Sequence, residues 1–162
     1  MRTAIARSLL YFSAAFLFFA ATATAGADGA KPVAAGPDRV AIRGYDTVAY
    51  FTDGKATKGS SSFEYAWDDA KWRFASADHR DMFIADPDRY APQFGGFCAG
   101  AITGGVLMPA NPEAWVIVGG KLYMVAGSQA DLAEWKADAA ENIKQGDKQW
   151  PVAQARWGAQ QP

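Results

Sequence analysis

The chain has 162 residues, of which 50% are hydrophobic and 14% aromatic, and its formal net charge is −1. This length suits one domain better than two full-sized ones, and the apolar content excludes a fully disordered chain. A charge so close to zero provides no basic surface for phosphates, so we expect no nucleic-acid partner. The single cysteine excludes an internal disulfide and any site built from several cysteines, and the single histidine excludes a two-histidine metal site.

The N-terminus has the pattern of a cleavable export signal. Arg2 and Arg7 supply positive charge, residues 8–21 form an uncharged apolar stretch, and small residues dominate positions 20–27. The apolar stretch is shorter than the ~20 residues that a helix needs to span a bilayer. We therefore expect residues 1–25 to be a signal peptide and the mature protein to be soluble and periplasmic, with no stable membrane anchor.

Beyond the signal, composition divides the chain into three parts. Residues 26–38 are small and polar and contain proline, which predicts a flexible leader. Apolar residues then recur without a linker-like interruption, which predicts one domain over residues 39–151. Residues 152–162 are predicted to form a polar tail.

The first half of the domain has strand-like patterns. Residues 40–42 and 47–51 are short and β-prone, and Asp46, which lies between them in a turn, is expected to hydrogen-bond local backbone. Apolar and polar side chains alternate over residues 63–67 and again over 71–75. This alternation, with an Asp-Asp-Ala turn between the two runs, predicts an antiparallel hairpin.

The middle of the domain is predicted to contain a short helix. Ser76 is typical of an N-cap, and the helix is expected to continue to about Ala85. Pro87 cannot continue it, so the helix should end at Asp86. The glycine-rich, uncharged residues 94–105 could form either a short helix or an irregular buried segment.

The last third predicts a second hairpin and a C-terminal helix. Residues 115–118 and 121–125 flank Gly119-Gly120, the turn chemistry of a two-residue loop. Ser128 and Asp131 resemble a capping box, and the ordered chain is expected to end at Trp150-Pro151. One amphipathic stripe consists of Leu132, Trp135, Ala139 and Ile143. Together these patterns predict an α+β fold, a small single domain with antiparallel hairpins, a short central helix and a C-terminal amphipathic helix.

The same periodicities place large side chains in the core. Nine are predicted to face inward: Phe63, Tyr65, Trp72, Phe74, Phe83, Trp115, Tyr123, Leu132 and Trp135.

Several sequence blocks of the domain carry a family resemblance. They are GYDTVAYF at 44–51, WRFAS at 72–76, FIADPDRYAP at 83–92 and GGFCA at 95–99, extended by WVIVGGKLY at 115–123. In this order they resemble the YHS domain family, specifically its small exported members. The resemblance implies metal binding, and copper in particular, because related domains occur in copper-transporting ATPases.

One part of the family pattern is absent. The pattern places two cysteines, four residues apart, at and after a strand end, and this chain has Ala75 and His79 there. The remaining thiol, Cys98, lies in the GGFCA block. The expected metal site therefore consists of Cys98 with help from His79 and Met82. It should take copper(I), because thiolate and thioether sulfur suit that ion and one imidazole makes a poor copper(II) site.

Each of these three side chains also has a purely structural interpretation. Cys98 could be a small buried hydrophobe, His79 a solvated or hydrogen-bonded surface group, and Met82 part of the core. Non-enzymatic metal handling is the first functional hypothesis. The alternative is a module with no metal site whose aromatic groove binds a small apolar ligand or a protein partner. A third hypothesis, a cysteine-dependent enzyme, would need an exposed Cys98 thiolate with His79 as its base.

Overall fold

Two antiparallel hairpins, six α-helices and two 3₁₀ helices, the first at Ile42–Gly44, make up the computed structural model, which describes residues 31–158. Strands β1 (Ser60–Trp67) and β2 (Ala70–Phe74) form one two-stranded sheet. Strands β3 (Trp115–Val118) and β4 (Lys121–Met124) form the other. The predicted α+β fold with two antiparallel hairpins is confirmed.

Both hairpins have tight turns in which the two central residues have positive φ. In the first, Asp68 and Asp69 have φ of 48° and 58°, and in the second, Gly119 and Gly120 have φ of 58° and 76°. Glycine adopts such values without strain, and aspartate tolerates them better than most residues. These values match the right-handed twist of the paired strands, so both predicted turns lie where the sequence placed them.

The predicted strand over residues 47–51 is wrong, because the chain forms helix α1 (Ala49–Thr52) there. One carboxylate oxygen of Asp46 accepts hydrogen bonds from the backbone N–H groups of Val48 and Ala49, at 2.9 and 3.3 Å. These donors would otherwise be unsatisfied in the first turn of the helix. The local hydrogen bonds of Asp46 therefore outweigh the β-propensity of the segment.

Helix α2 (Ala77–Ala85) begins as predicted. The Ser76 hydroxyl accepts a hydrogen bond from the backbone N–H of His79 at 3.1 Å. The helix ends at Asp86, also as predicted, and Pro87 then starts helix α3 (Pro87–Tyr90). Proline at a first helical position loses no intrahelical hydrogen bond, so the same residue ends one helix and begins the next.

The glycine-rich segment contains a 3₁₀ helix, Gln93–Gly96, and helix α4 (Ala99–Ile102). Gly95 has φ of 60°, and a Cβ there would collide with the carbonyl oxygen of Pro32. The backbone N–H of Ala34 donates to the Gly95 carbonyl at 2.8 Å. The predicted flexible leader is therefore wrong for residues 33–35, because this segment packs against the domain.

The C-terminal helical region is divided in two. The capping box of Ser128 and Asp131 begins helix α5 (Gln129–Ala137) as predicted. Asp138, with φ of −120° and ψ of 34°, then interrupts the helical backbone. The second part is α6 (Ala139–Gly158), so the prediction of one continuous helix is wrong.

Helix α6 also continues past Pro151, where the ordered chain was predicted to end. Pro151 lies inside α6. Two residues later, Ala153 is fully buried, and α6 packs against α4. Tertiary packing of the following turn therefore offsets the hydrogen bond that proline removes, and residues 152–158 are helical where a polar tail was predicted.

One part of the hydrophobic core forms where α2 packs against the first hairpin. The ring of Phe83 lies 5.0 Å from that of Trp72, 5.1 Å from that of Phe74 and 5.6 Å from that of Trp67, measured between centroids. Six of the nine predicted core side chains are buried, namely Trp72, Phe74, Phe83, Tyr123, Leu132 and Trp135. Phe63, Tyr65 and Trp115 are half-buried. This aromatic packing fixes the position of α2 and of the histidine in its first turn.

None of the helices within residues 31–158 is both long enough and apolar enough to cross a membrane. The predicted signal peptide, residues 1–25, lies outside the described residues.

Candidate functional site

Of the three predicted metal ligands, Cys98 lies at the start of α4, whereas His79 and Met82 both lie on α2. Cys98 directly precedes α4 and is 8% exposed, and its backbone N–H donates to the carbonyl of Met108. His79 lies in the first turn of α2, and Met82, one turn later, packs against the hydrophobic core. Within residues 31–158, no hydrogen bond joins Cys98 to His79. The same part of the chain holds no group of three His, Cys, Asp or Glu side chains arranged to bind a metal ion.

The imidazole of His79 is bound to a buried carboxylate. Its Nδ1 lies 2.7 Å from Oδ2 of Asp46, and the Asp46 side chain is 0% exposed. Oδ2 also accepts from the backbone N–H of Ala75 at 2.8 Å. The other oxygen accepts from Val48 and Ala49. Four hydrogen bonds converge on this carboxylate, which satisfies a buried group that can only accept when it is ionised.

This pair is positioned by two parts of the chain, the start of α1 and the junction of β2 and α2, which lie about 30 residues apart. Asp46 precedes α1, and its own backbone N–H donates to the carbonyl of Thr57 at 2.8 Å. Ala75 follows the last residue of β2, and His79 follows the N-cap of α2. The Asp46 carboxylate therefore ties the start of α1 to the junction between β2 and α2.

Asp46 fixes which nitrogen of the imidazole carries the proton. An ionised carboxylate has no proton to donate, so Nδ1 of His79 must donate to it. In the neutral ring, Nε2 then has the free lone pair. The His79 side chain is 16% exposed, so the imidazole is partly accessible to solvent.

Two oxygen-bearing side chains at the end of α1 lie beside Nε2. The hydroxyl of Thr52 is 3.3 Å from Nε2, and Oδ1 of Asp53 is 4.0 Å from it. The Thr52 hydroxyl has one proton and two closer acceptors, Oδ1 of Asp53 at 2.9 Å and the Val48 carbonyl at 3.2 Å. The lone pair of Nε2 therefore remains available for another partner.

The arrangement can in principle orient a base or a metal ligand. A carboxylate that holds a histidine in one tautomer occurs in hydrolytic triads and behind metal-bound histidines. A triad would need Thr52 to donate its proton to Nε2, but that proton has two closer acceptors. The geometry therefore favours a ligand role for His79 over base activation of a hydroxyl nucleophile.

Sequence reasoning identified His79 but missed its surroundings. Asp46 was expected to hydrogen-bond local backbone, and it does so at Val48 and Ala49. Its contact with His79, and the positions of Thr52 and Asp53 beside the ring, depend on how α2 packs against the rest of the domain. The one signal in the sequence that pointed to these surroundings was the charged side chain of Asp46 next to a predicted turn.

Comparisons of the chain with models of known protein families, with curated proteins and with solved structures found no match. The resemblance to the YHS domain family therefore stays a prediction that is based on the sequence blocks themselves.

Proposed function

We propose that the chain is a non-enzymatic metal-handling protein, with copper favoured, and that its first metal contact is Nε2 of His79. The observation that carries this proposal is the 2.7 Å hydrogen bond from Nδ1 to the buried Asp46 carboxylate. Metal-bound histidines commonly donate their other ring N–H to a carboxylate, which fixes the ring and makes the ligating nitrogen more basic. The export prediction places this activity in the periplasm.

The neighbouring oxygens supply further ligands. Two atoms bound to one ion at roughly 2 Å each are separated by at most about 4 Å. Nε2 of His79 and Oδ1 of Asp53 are 4.0 Å apart, and the Asp53 side chain is 35% exposed. One ion could therefore bind both, with the Thr52 hydroxyl or water completing its coordination. So few protein ligands give an open and exchangeable site, as metal handling requires.

The nature of these donors modifies the choice of copper oxidation state. One imidazole alone makes a poor copper(II) site, but the structure adds the carboxylate of Asp53 beside it. A nitrogen and a carboxylate oxygen together suit a divalent ion, and copper(II) forms the strongest complexes among the common divalent metals. Copper(I) would need sulfur, and the thiol of Cys98 is nearly buried. We therefore assign copper(II) to His79, and the copper(I) site at Cys98 remains a separate prediction.

The test is a titration of the metal-free processed protein with copper(II), followed by calorimetry and by electron paramagnetic resonance. We expect one nitrogen ligand in the spectrum of the complex and loss of binding in His79→Gln. Asp53→Asn should weaken binding about tenfold, while Cys98→Ser should leave it unchanged. The matched control is Asp81→Asn, which removes an exposed carboxylate of α2 whose partner is Arg80.

Two results would overturn the assignment. Unchanged copper(II) affinity in a folded His79→Gln protein would exclude Nε2 as the ligand. Loss of copper binding in Cys98→Ser with His79 intact would return the site to the thiol. Circular dichroism of each variant distinguishes loss of the ligand from loss of the fold.

The alternative function, a module that binds a small ligand, is supported by a separate observation, an aromatic cleft on another part of the domain. That cleft and the His79 site share no lining residue, so a small-ligand site and a metal site could occur on the same domain.

A further inference from the structure

A cleft of about 160 Å³ lies beside the N-terminal segment, at the turn of the first hairpin. From its lining we propose that it binds one small quaternary ammonium cation, a ligand of the size and charge of choline. This inference is independent of the proposed metal function.

Aromatic side chains from three parts of the chain line the cleft. Trp67 ends β1, Trp72 lies in β2, Phe94 lies in the 3₁₀ helix, and Trp150 lies in α6. Trp72 and Phe94 are nearly buried, whereas Trp67 and Trp150 keep part of their surface exposed. The faces of indole rings carry negative potential and attract cations, most strongly those whose methyl groups leave them weakly hydrated. The aromatic lining therefore favours a methylated cation over a neutral or anionic ligand.

The indole N–H of Trp72 is already committed to the protein. It donates to the carbonyl of Trp67 at 2.9 Å, so this ring offers the cleft no hydrogen-bond donor. The bond also joins the two tryptophans, whose ring centroids lie 5.6 Å apart. The wall they form is fixed before a ligand arrives, which limits the entropy lost on binding.

Beside these two tryptophans lies the carboxylate of Asp68, which has no partner among the described residues. Asp68, the first turn residue, is half-buried and lines the cleft, yet it makes no ion pair or side-chain hydrogen bond with the residues from 31 to 158. Its neighbour Asp69 is bound to Arg39 at 2.7 Å. Positive φ at both turn residues fixes the direction in which each side chain leaves the backbone. Asp68 therefore supplies the negative charge that a bound cation requires.

The chain itself places one ammonium group at this cleft. Lys31 lines it, and its Nζ lies 3.7 Å from Oδ1 of Asp88, another lining residue. Both side chains are largely exposed, so this pair contributes little to stability and separates easily. A cationic ligand would compete with Lys31 for the carboxylates, whereas an anionic ligand would use Lys31 as its partner. The effect of removing Lys31 therefore reports the sign of the ligand charge.

The size of the cleft limits the ligand. A closed cavity of about 150 Å³ holds one benzene molecule, which has six non-hydrogen atoms. A cleft of about 160 Å³ that opens to solvent can therefore hold a trimethylammonium group with a short tail. A whole nucleotide, lipid chain or peptide is too large to be enclosed by it.

The experiment titrates the mature protein, the chain without its predicted signal peptide, with choline. A separate titration uses 3,3-dimethylbutan-1-ol, the neutral alcohol of the same shape. Calorimetry measures the affinities, and NMR follows the indole N–H signals of Trp67 and Trp150. We expect choline to bind at least tenfold more tightly than the alcohol. Equal affinities for the two compounds would overturn the proposal. The absence of choline binding up to about 10 mM, a concentration on the order of the dissociation constants of the weakest specific ligands, would also overturn it.

Variants test the two charges separately. Asp68→Asn should weaken choline binding about tenfold, whereas the matched control Asp138→Asn, an exposed carboxylate that follows α5, should leave it unchanged. Lys31→Gln should tighten it several-fold, and weaker binding in this variant would show that the site prefers anions and overturn the proposal. His79→Gln should not change choline binding, so failure here is distinguishable from failure of the metal proposal.

Discussion

Ala75 and His79 donate to the same oxygen of Asp46, one from its backbone N–H at 2.8 Å and the other from Nδ1 at 2.7 Å. The oxygen therefore holds the end of β2 and the side chain of α2 together. One buried atom links the packing of the domain to the orientation of its candidate ligand.

Asp46→Asn should destabilise the protein by about 2–4 kcal/mol. One oxygen becomes an amide nitrogen that cannot accept, so at least one buried donor among Val48, Ala75 and His79 loses its partner, at roughly 1–3 kcal/mol each. Urea denaturation measures the change. Asp81→Asn, in an exposed ion pair, should change stability by less than about 0.5 kcal/mol. A loss below 1 kcal/mol in Asp46→Asn would show that this carboxylate does not bind the donors as described.

The tautomer of His79 is a second prediction. In the neutral imidazole, the proton should reside on Nδ1 and be absent from Nε2, because an ionised Asp46 can only accept. Long-range ¹H–¹⁵N correlation spectra report this directly, and the chain has one histidine, so the assignment is unambiguous. A spectrum with the proton on Nε2 would contradict the orientation and remove the free lone pair from the metal proposal.

Trp72→Ala should lower the free energy of unfolding by about 3–5 kcal/mol, the range for removing a large buried aromatic side chain. Trp72 is 1% exposed and packs against Phe83 and Trp67. Ile84→Ala, at an exposed position of α2, is the control and should cost less than about 1 kcal/mol. Chemical denaturation measures the free energy of unfolding of both variants. Similar losses in the two would show that Trp72 does not lie in the core.

The capping box predicts a pH dependence for α5. Hydrogen bonds from the Ser128 hydroxyl and backbone lower the pKa of Asp131 from its ordinary value of 3.8. The folded state therefore favours the ionised carboxylate, and its contribution is present above the pKa of the unfolded chain and disappears as the pH falls through the lower pKa of the folded chain.

NMR titration of the Asp131 carboxyl measures this shift. We expect a midpoint below 3.8 in the native sequence and a return towards 3.8 in Ser128→Ala, because the variant loses the side-chain hydrogen bond. Equal midpoints in the two proteins would show that the hydroxyl does not stabilise the ionised carboxylate.

Features that depend on neighbouring residues were predictable from the sequence. The first hairpin turn at Asp68-Asp69, the cap at Ser76 and the capping box at Ser128 each depend on residues within a few positions of one another. Their hydrogen bonds form with little help from the rest of the fold, so the sequence pattern and the structure agree.

Features that depend on distant residues were not predictable. Pro151 lies inside a helix because Ala153 is buried in the packed domain, and no local rule contains that information. The candidate site also depends on residues that are distant in sequence. His79 was identified from its position in a family pattern, but its partner Asp46 lies on another element and is brought close only by the packing of α2.

The contact between Gly95 and the segment around Pro32 has a consequence for the order of folding. The hydrogen bond from Ala34 to Gly95 closes a loop that contains the first hairpin, α2 and α3. Closing so long a loop is entropically costly until the intervening elements have formed. The contact between the N-terminal segment and Gly95 should therefore form late, and a chain interrupted before residue 95 would leave the backbone N–H of Ala34 without this acceptor.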